Sequence, residues 1–198
     1  MNNRWQWIVA LALIFGGLLV SPFLRAPGDA EQAMLRAQFH LPGEIAFTQT
    51  RIKRHSLKTN SYELEGVVRF SSEAFSRYQQ QITAEMPWTV PALTLDGHTT
   101  AGSTGDPDAR WQPFDRLQTV PFGNLNSDEF QQTTNGLAIC YGIVVASAEG
   151  VPPSDGVRPC RTLGSIGEHG YVVQGVLDAD TRTLFLIIRR YGEWPLIR

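Results

Sequence analysis

The stretch YVVQGVLDADTRTLFLIIRRYG, residues 171–192, constrains the fold more than any other part of the chain. Two apolar runs flank the turn-forming residues Asp178 to Thr181, which predicts two strands joined by a turn. LFLII, 184–188, is apolar on both faces. Such a strand belongs inside a sheet, because at an edge its unpaired backbone and apolar surface would template aggregation. LAICYGIVVAS, 137–147, is almost continuously apolar and suits a central strand as well.

Upstream, SYELEGVVRF (61–70) alternates cleanly, with Tyr62, Leu64, Gly66, Val68 and Phe70 on one face and Glu63, Glu65, Val67 and Arg69 on the other. EIAFTQTRI (44–52) predicts its hairpin partner, with Ile45 and Phe47 on one face and the polar HSLKTN (55–60) as the turn. The basic run RIKRHSLK (51–58) reads as the solvated end of that strand and its loop. In SSEAFSRYQQQITAEM (71–86), Phe75, Tyr78, Ile82 and Met86 line one side of a helix that Ser71 or Ser72 caps and Pro87 stops. DAEQAMLRAQFHLP (29–42) predicts a shorter helix, capped by Asp29, with an apolar stripe of Ala30, Ala33, Met34 and Ala37. The order predicts an α+β fold: an antiparallel sheet of about five strands with two helices mainly on one face, preceded by one N-terminal membrane helix.

That membrane helix rests on the opening residues. Trp5 to Leu24 is apolar except for Gln6, Ser21 and Pro22, and about 20 such residues span a bilayer as a helix. Arg4 and the amino terminus precede the run, which orients its N-terminus to the cytoplasm and exports the remainder. Two fates compete: an uncleaved signal anchor over 1–25, or a signal peptide removed near the small residues Ala26, Gly28 and Ala30. Residues 26–42 then read as a stalk helix and 43–198 as one exported domain. The chain has no N-x-S/T sequon, which points to a bacterial rather than a eukaryotic envelope. The expected location is the bacterial inner membrane, single-pass with the C-terminal domain periplasmic; secretion to the periplasm after cleavage is the alternative.

Residues 88–134 are rich in Pro, Gly, Thr, Asp and Asn yet carry isolated aromatics. Such residues pin a long loop to its own domain, or they anchor a partner. Trp88, Arg110, Trp111, Phe114 and Arg116 form the candidate partner surface.

Recognisable catalytic patterns are absent. AGSTG and GSIG are not nucleophile elbows, and no phosphate-binding glycine motif occurs. His40, His55, His98 and His169 have no ligand spacing, and the Asp96, His98, Asp106, Asp108 stretch lacks the calcium-loop pattern. No metal or cofactor is expected. A net charge of −2 and a pI of about 6.1 speak against nucleic acid. Cys140 lies in an apolar run, an unfavourable place for a thiolate that would pair with His169. In an oxidising compartment, Cys140 and Cys160 predict a structural disulfide that closes a loop of roughly 20 residues.

The sequence therefore predicts an envelope-anchored, non-enzymatic accessory domain that meets a protein partner in the cell envelope. The alternative is a periplasmic hydrolase or small-ligand binder using carboxylates or His169 near the long loop.

Overall fold

A computed structural model describes residues 24–25, 27–54, 62–85, 88–95, 98–99, 110–113, 135–146, 157–159 and 169–191. The elements among them are, in chain order, β1 (Leu24–Arg25), α1 (Asp29–Gln38), β2 (Gln49–Arg54), β3 (Tyr62–Arg69), α2 (Ser72–Ala84), β4 (Thr94–Leu95), β5 (His98–Thr99), β6 (Gln112–Pro113), β7 (Gly136–Ala146), β8 (Val157–Pro159), β9 (His169–Asp178) and β10 (Thr183–Tyr191). The fold is α+β. One antiparallel sheet runs β1-β2-β3-β10-β9-β7-β6, with β8 also on β7, and β4 and β5 pair separately.

The expected hairpin at 178–183 is present. Asp178 Oδ1 accepts from the Asp180 and Thr181 amides at 2.8 and 3.3 Å, and Arg182 takes a left-handed φ of 55° to bring the chain back. β10 then inserts between β9 and β3, with Ile187 opposite Gln174 on one side and Glu65 on the other. That central place explains its composition. Leu184, Leu186 and Ile188 join the core beneath the helices, while Phe185 and Ile187 pack with Val67 on the second face.

Both helices lie on the first face, since Leu35 and Tyr78 belong to the same core as Leu64, Val173 and Ile139. Glycines make the fit of α1 possible. A Cβ at Gly66 would come within 3.1 Å of Leu35 Cδ1, and one at Gly175 within 2.6 Å of Phe39 Cε1. Leu186 stands between these glycines in the pairing register, so α1 settles into a shallow dent across β3, β10 and β9.

Gly28, not Asp29, is the N-cap of α1, and the Glu31 carboxylate accepts its amide at 2.9 Å. The helix also turns a different side inward than the alanine spacing predicts. Met34, Leu35 and Gln38 are buried, whereas Ala30, Ala33 and Ala37 are exposed. Burying Leu and Met removes far more apolar area from water than burying Ala, so the larger side chains decide the orientation. It follows that α1 is part of the core.

The end of α1 comes at Gln38, four residues before Pro42. His40 adopts φ 49°, and the Leu41 amide donates back to the Arg36 carbonyl at 2.9 Å, closing the helix in the manner of a Schellman motif. α2 follows its expected pattern: Ser71 Oγ accepts from the Ala74 amide at 3.3 Å, and Phe75, Tyr78 and Ile82 are buried. Its expected fourth contact, Met86, lies outside the described residues. β2 starts at Gln49, so Ile45 and Phe47 precede the strand but still pack against the core.

Most of the expected membrane helix, residues 5–23, lies outside the described residues. Its last residue, Leu24, pairs with Lys53 as part of β1, so a helix would have to end before it. No helix among the described residues is long and apolar enough to cross a membrane.

Candidate functional site

Strand alternation brings the polar residues of β2, β3 and β10 together on the sheet face away from the helices. One row across the strands reads Lys53, Glu63, Arg189, and the next reads Arg51, Glu65, Ile187, Gln174, Cys140. The two glutamates are buried, Glu63 completely. Arg189 donates to Glu63 Oε2 through Nε at 2.7 Å and through Nη2 as well, and Arg51 Nε donates to Glu65 Oε2. Burial pushes the Glu65 carboxyl above the usual range; the hydrogen bond from Arg51 opposes this and a hydrogen bond with Glu63 adds to it. The hydrogen bond to Glu65 in turn raises Arg51. Gln174 Nε2 donates to Cys140 Sγ at 3.4 Å.

Glu63 and Glu65 stand two residues apart on one face of β3. They differ from a glycosidase pair, which keeps about 5 Å or more between the groups so that a sugar or water fits. Here Oε2 of each glutamate also accepts from a guanidinium. The constellation therefore locks the register of β2, β3 and β10.

A second constellation lies on the helix side. The His40 ring stacks on Trp88 (centroids 4.1 Å apart, planes 14° from parallel), and Trp88 meets Trp111 edge-on at 6.0 Å. His40 Nδ1 lies 2.9 Å from Glu85 Oε2. Tyr141 donates to Gln38 Oε1 at 2.9 Å, Gln38 Nε2 donates to the Pro91 carbonyl at 3.0 Å, and Tyr78 donates to the Phe39 carbonyl at 2.7 Å. Burial raises both tyrosine hydroxyls far above their ordinary value, so they remain protonated donors. These bonds supply partners for polar groups that the core has taken from water.

The candidate partner surface separates under this geometry. Trp88 and Trp111 are core residues, 0% and 9% exposed, and Trp111 leans over Gly175. They fill the core of their own domain, where a large indole buries the most apolar area. Arg110 is exposed, and Phe114 and Arg116 lie outside the described residues. His98 falls in β5, and His169 opens β9 opposite Ala146, just past an irregularity in the β7 register. Asp96, Asp106 and Asp108 lie outside the described residues, and no three His, Cys, Asp or Glu residues gather as metal ligands among those described. Cys140 is not a free thiol, while Cys160 lies outside the described residues.

Sequence reasoning missed both the glutamate–arginine rows and His40. The signal for the rows is a charge at every second position in RIKR and ELE, but Glu63 meets Arg189 from 126 residues away. No family model matches this chain, and neither a curated protein nor a solved structure matches it.

Proposed function

We propose that this chain is an envelope-anchored, periplasm-facing accessory domain that acts by binding a protein partner rather than by catalysis. The observation that carries this reading is the route of the chain. The apolar run at 5–24 leads straight into β1, an edge strand hydrogen-bonded to β2, so a folded domain follows the run without a spacer. The pairing of Glu63 and Glu65 with arginines from neighbouring strands supports a scaffold role for them.

An oxidising compartment accords with a Cys140–Cys160 disulfide. Tyr141 pairs with Pro159 and Ile143 with Val157, so the strand that precedes Cys160 in the sequence lies antiparallel to the strand that carries Cys140. Such a bridge would hold β8 on β7.

Mild crosslinking of intact envelopes, followed by detergent solubilisation and capture of the full chain, tests the reading. A recurrent protein partner is expected. Its consistent absence, with the chain present and folded, would overturn the proposal.

A further inference from the structure

We propose that the Cys140–Cys160 bridge is a reversible redox site, opened by the dithiol of a thiol–disulfide oxidoreductase, in which Gln174 stabilises the departing Cys140 thiolate. This rests on the disulfide reading above and goes beyond it, since a purely structural bridge needs no group to receive the charge of a leaving sulfur.

Cys140 is not a free thiol, and Cys160 is the other cysteine of the chain. The register of β7 and β9 sets Gln174 directly opposite Cys140, and Gln174 Nε2 donates to Cys140 Sγ at 3.4 Å. Gln174 is 2% exposed, and a hydrogen bond sheltered in this way is stronger than one open to water. The neighbouring positions on the same face are apolar. Ala138 and Gly142 lie along β7 on either side of Cys140, and Val176 and Val172 stand opposite them on β9. Among the described residues of these two strands, Gln174 is therefore the polar side chain set to act on the sulfur.

Charge decides what this arrangement does. A disulfide sulfur is a neutral, weak acceptor, whereas a thiolate carries a full negative charge. A hydrogen bond to a charged acceptor is about twice as strong as one to a neutral acceptor, so Gln174 stabilises the reduced form more than the bridge. The preference is about fivefold, or roughly 20 mV in a two-electron couple. In the exchange, a thiolate of the oxidoreductase attacks Cys160 Sγ, the bond to Cys140 Sγ breaks, and its electron pair leaves on Cys140. The second thiol of the oxidoreductase then displaces Cys160 from the mixed disulfide. The oxidoreductase ends as a disulfide, and this chain as two thiols that have gained its two electrons and two protons. A better stabilised thiolate leaves faster, so Gln174 also directs the attack to Cys160. Opening the bridge leaves β8 on β7 through the pairs at 157–159, and Pro159 has no amide proton to give.

The test equilibrates the full chain, in detergent, with mixtures of reduced and oxidised glutathione at pH 9, where a thiol is largely ionised. Alkylation and mass spectrometry then count bridge, mixed disulfide and dithiol. Gln174→Leu should raise the ratio of bridge to dithiol about fivefold. Gln174→Glu, which keeps the shape and replaces the donor with an acceptor, should raise it further. Ile187→Val, which changes packing beside Gln174 in the same row, should leave it unaltered. In samples quenched early, glutathione should map to Cys160 and the alkyl group to Cys140. Thermal melts of the oxidised and reduced forms establish that each variant is folded. An unchanged ratio in both Gln174 variants, or glutathione on Cys140 in place of Cys160, would overturn the redox role and leave the bridge standing. Two alkylatable thiols in protein extracted without reductant would overturn the disulfide reading, and this role with it.

Discussion

Gly175 and His40 show how much of this fold hangs on single side chains. The space above Gly175 is filled by Phe39 and Trp111, so Gly175→Ala would push a methyl group into two aromatic rings. Overpacking of this kind costs about 1–3 kcal/mol, and the urea midpoint of the variant should drop accordingly. His40 sits in a left-handed conformation that costs a non-glycine residue of order 1 kcal/mol, and its ring is held by Trp88 and Glu85. Glu65 makes a prediction in pH. Its carboxyl titrates higher in the fold than in the unfolded chain, so its contribution is fully present below the unfolded value of about 4.3 and is lost as pH rises through the folded one. The stability of the wild type minus that of Glu65→Gln should therefore fall as pH rises across that window. Urea midpoints taken at successive pH values check the sign, and a rise would contradict it.

Pairing between elements explains why β3 tolerates buried charge. Its glutamates are covered by arginines from the strands on either side, β2 and β10, so the network forms only when all three strands are in register. Arg189→Met should cost about 3–5 kcal/mol, because it leaves the Glu63 carboxylate buried without its cation. Glu63→Gln/Arg189→Met should recover much of that loss, and a double-mutant cycle in urea measures the coupling. The link proposed between β7 and β8 has its own energetic mark. Cys140→Ser/Cys160→Ser should lower stability by about 3 kcal/mol, as should reductant, while the wild type should yield no alkylatable thiol before reduction.

For the molecule as a whole, the decisive feature is that α1 belongs to the core. Leu35 and Phe39 are fully buried, so removing residues 1–41 should abolish cooperative unfolding seen by near-ultraviolet circular dichroism. Removing residues 1–26 deletes only the apolar run and the two-residue strand β1, and should leave the cooperative transition in place. A stalk would predict that both truncations fold alike.

Periodicity alone revealed the α+β class, the 178–183 hairpin, the inward face of β3 and the buried face of α2, because these depend on side chains close along the chain. The central place of β10 was legible too, since no other position accommodates Leu184 to Ile188. Tertiary structure decided that β10 pairs with β3, that α1 turns its leucine rather than its alanines inward, and that Trp88 and Trp111 are core residues. It also decided that Glu63 meets Arg189. Each of these outcomes depends on which distant surfaces come into contact, and the free energy of that choice lies in packing and desolvation between elements, to which local spacing is blind.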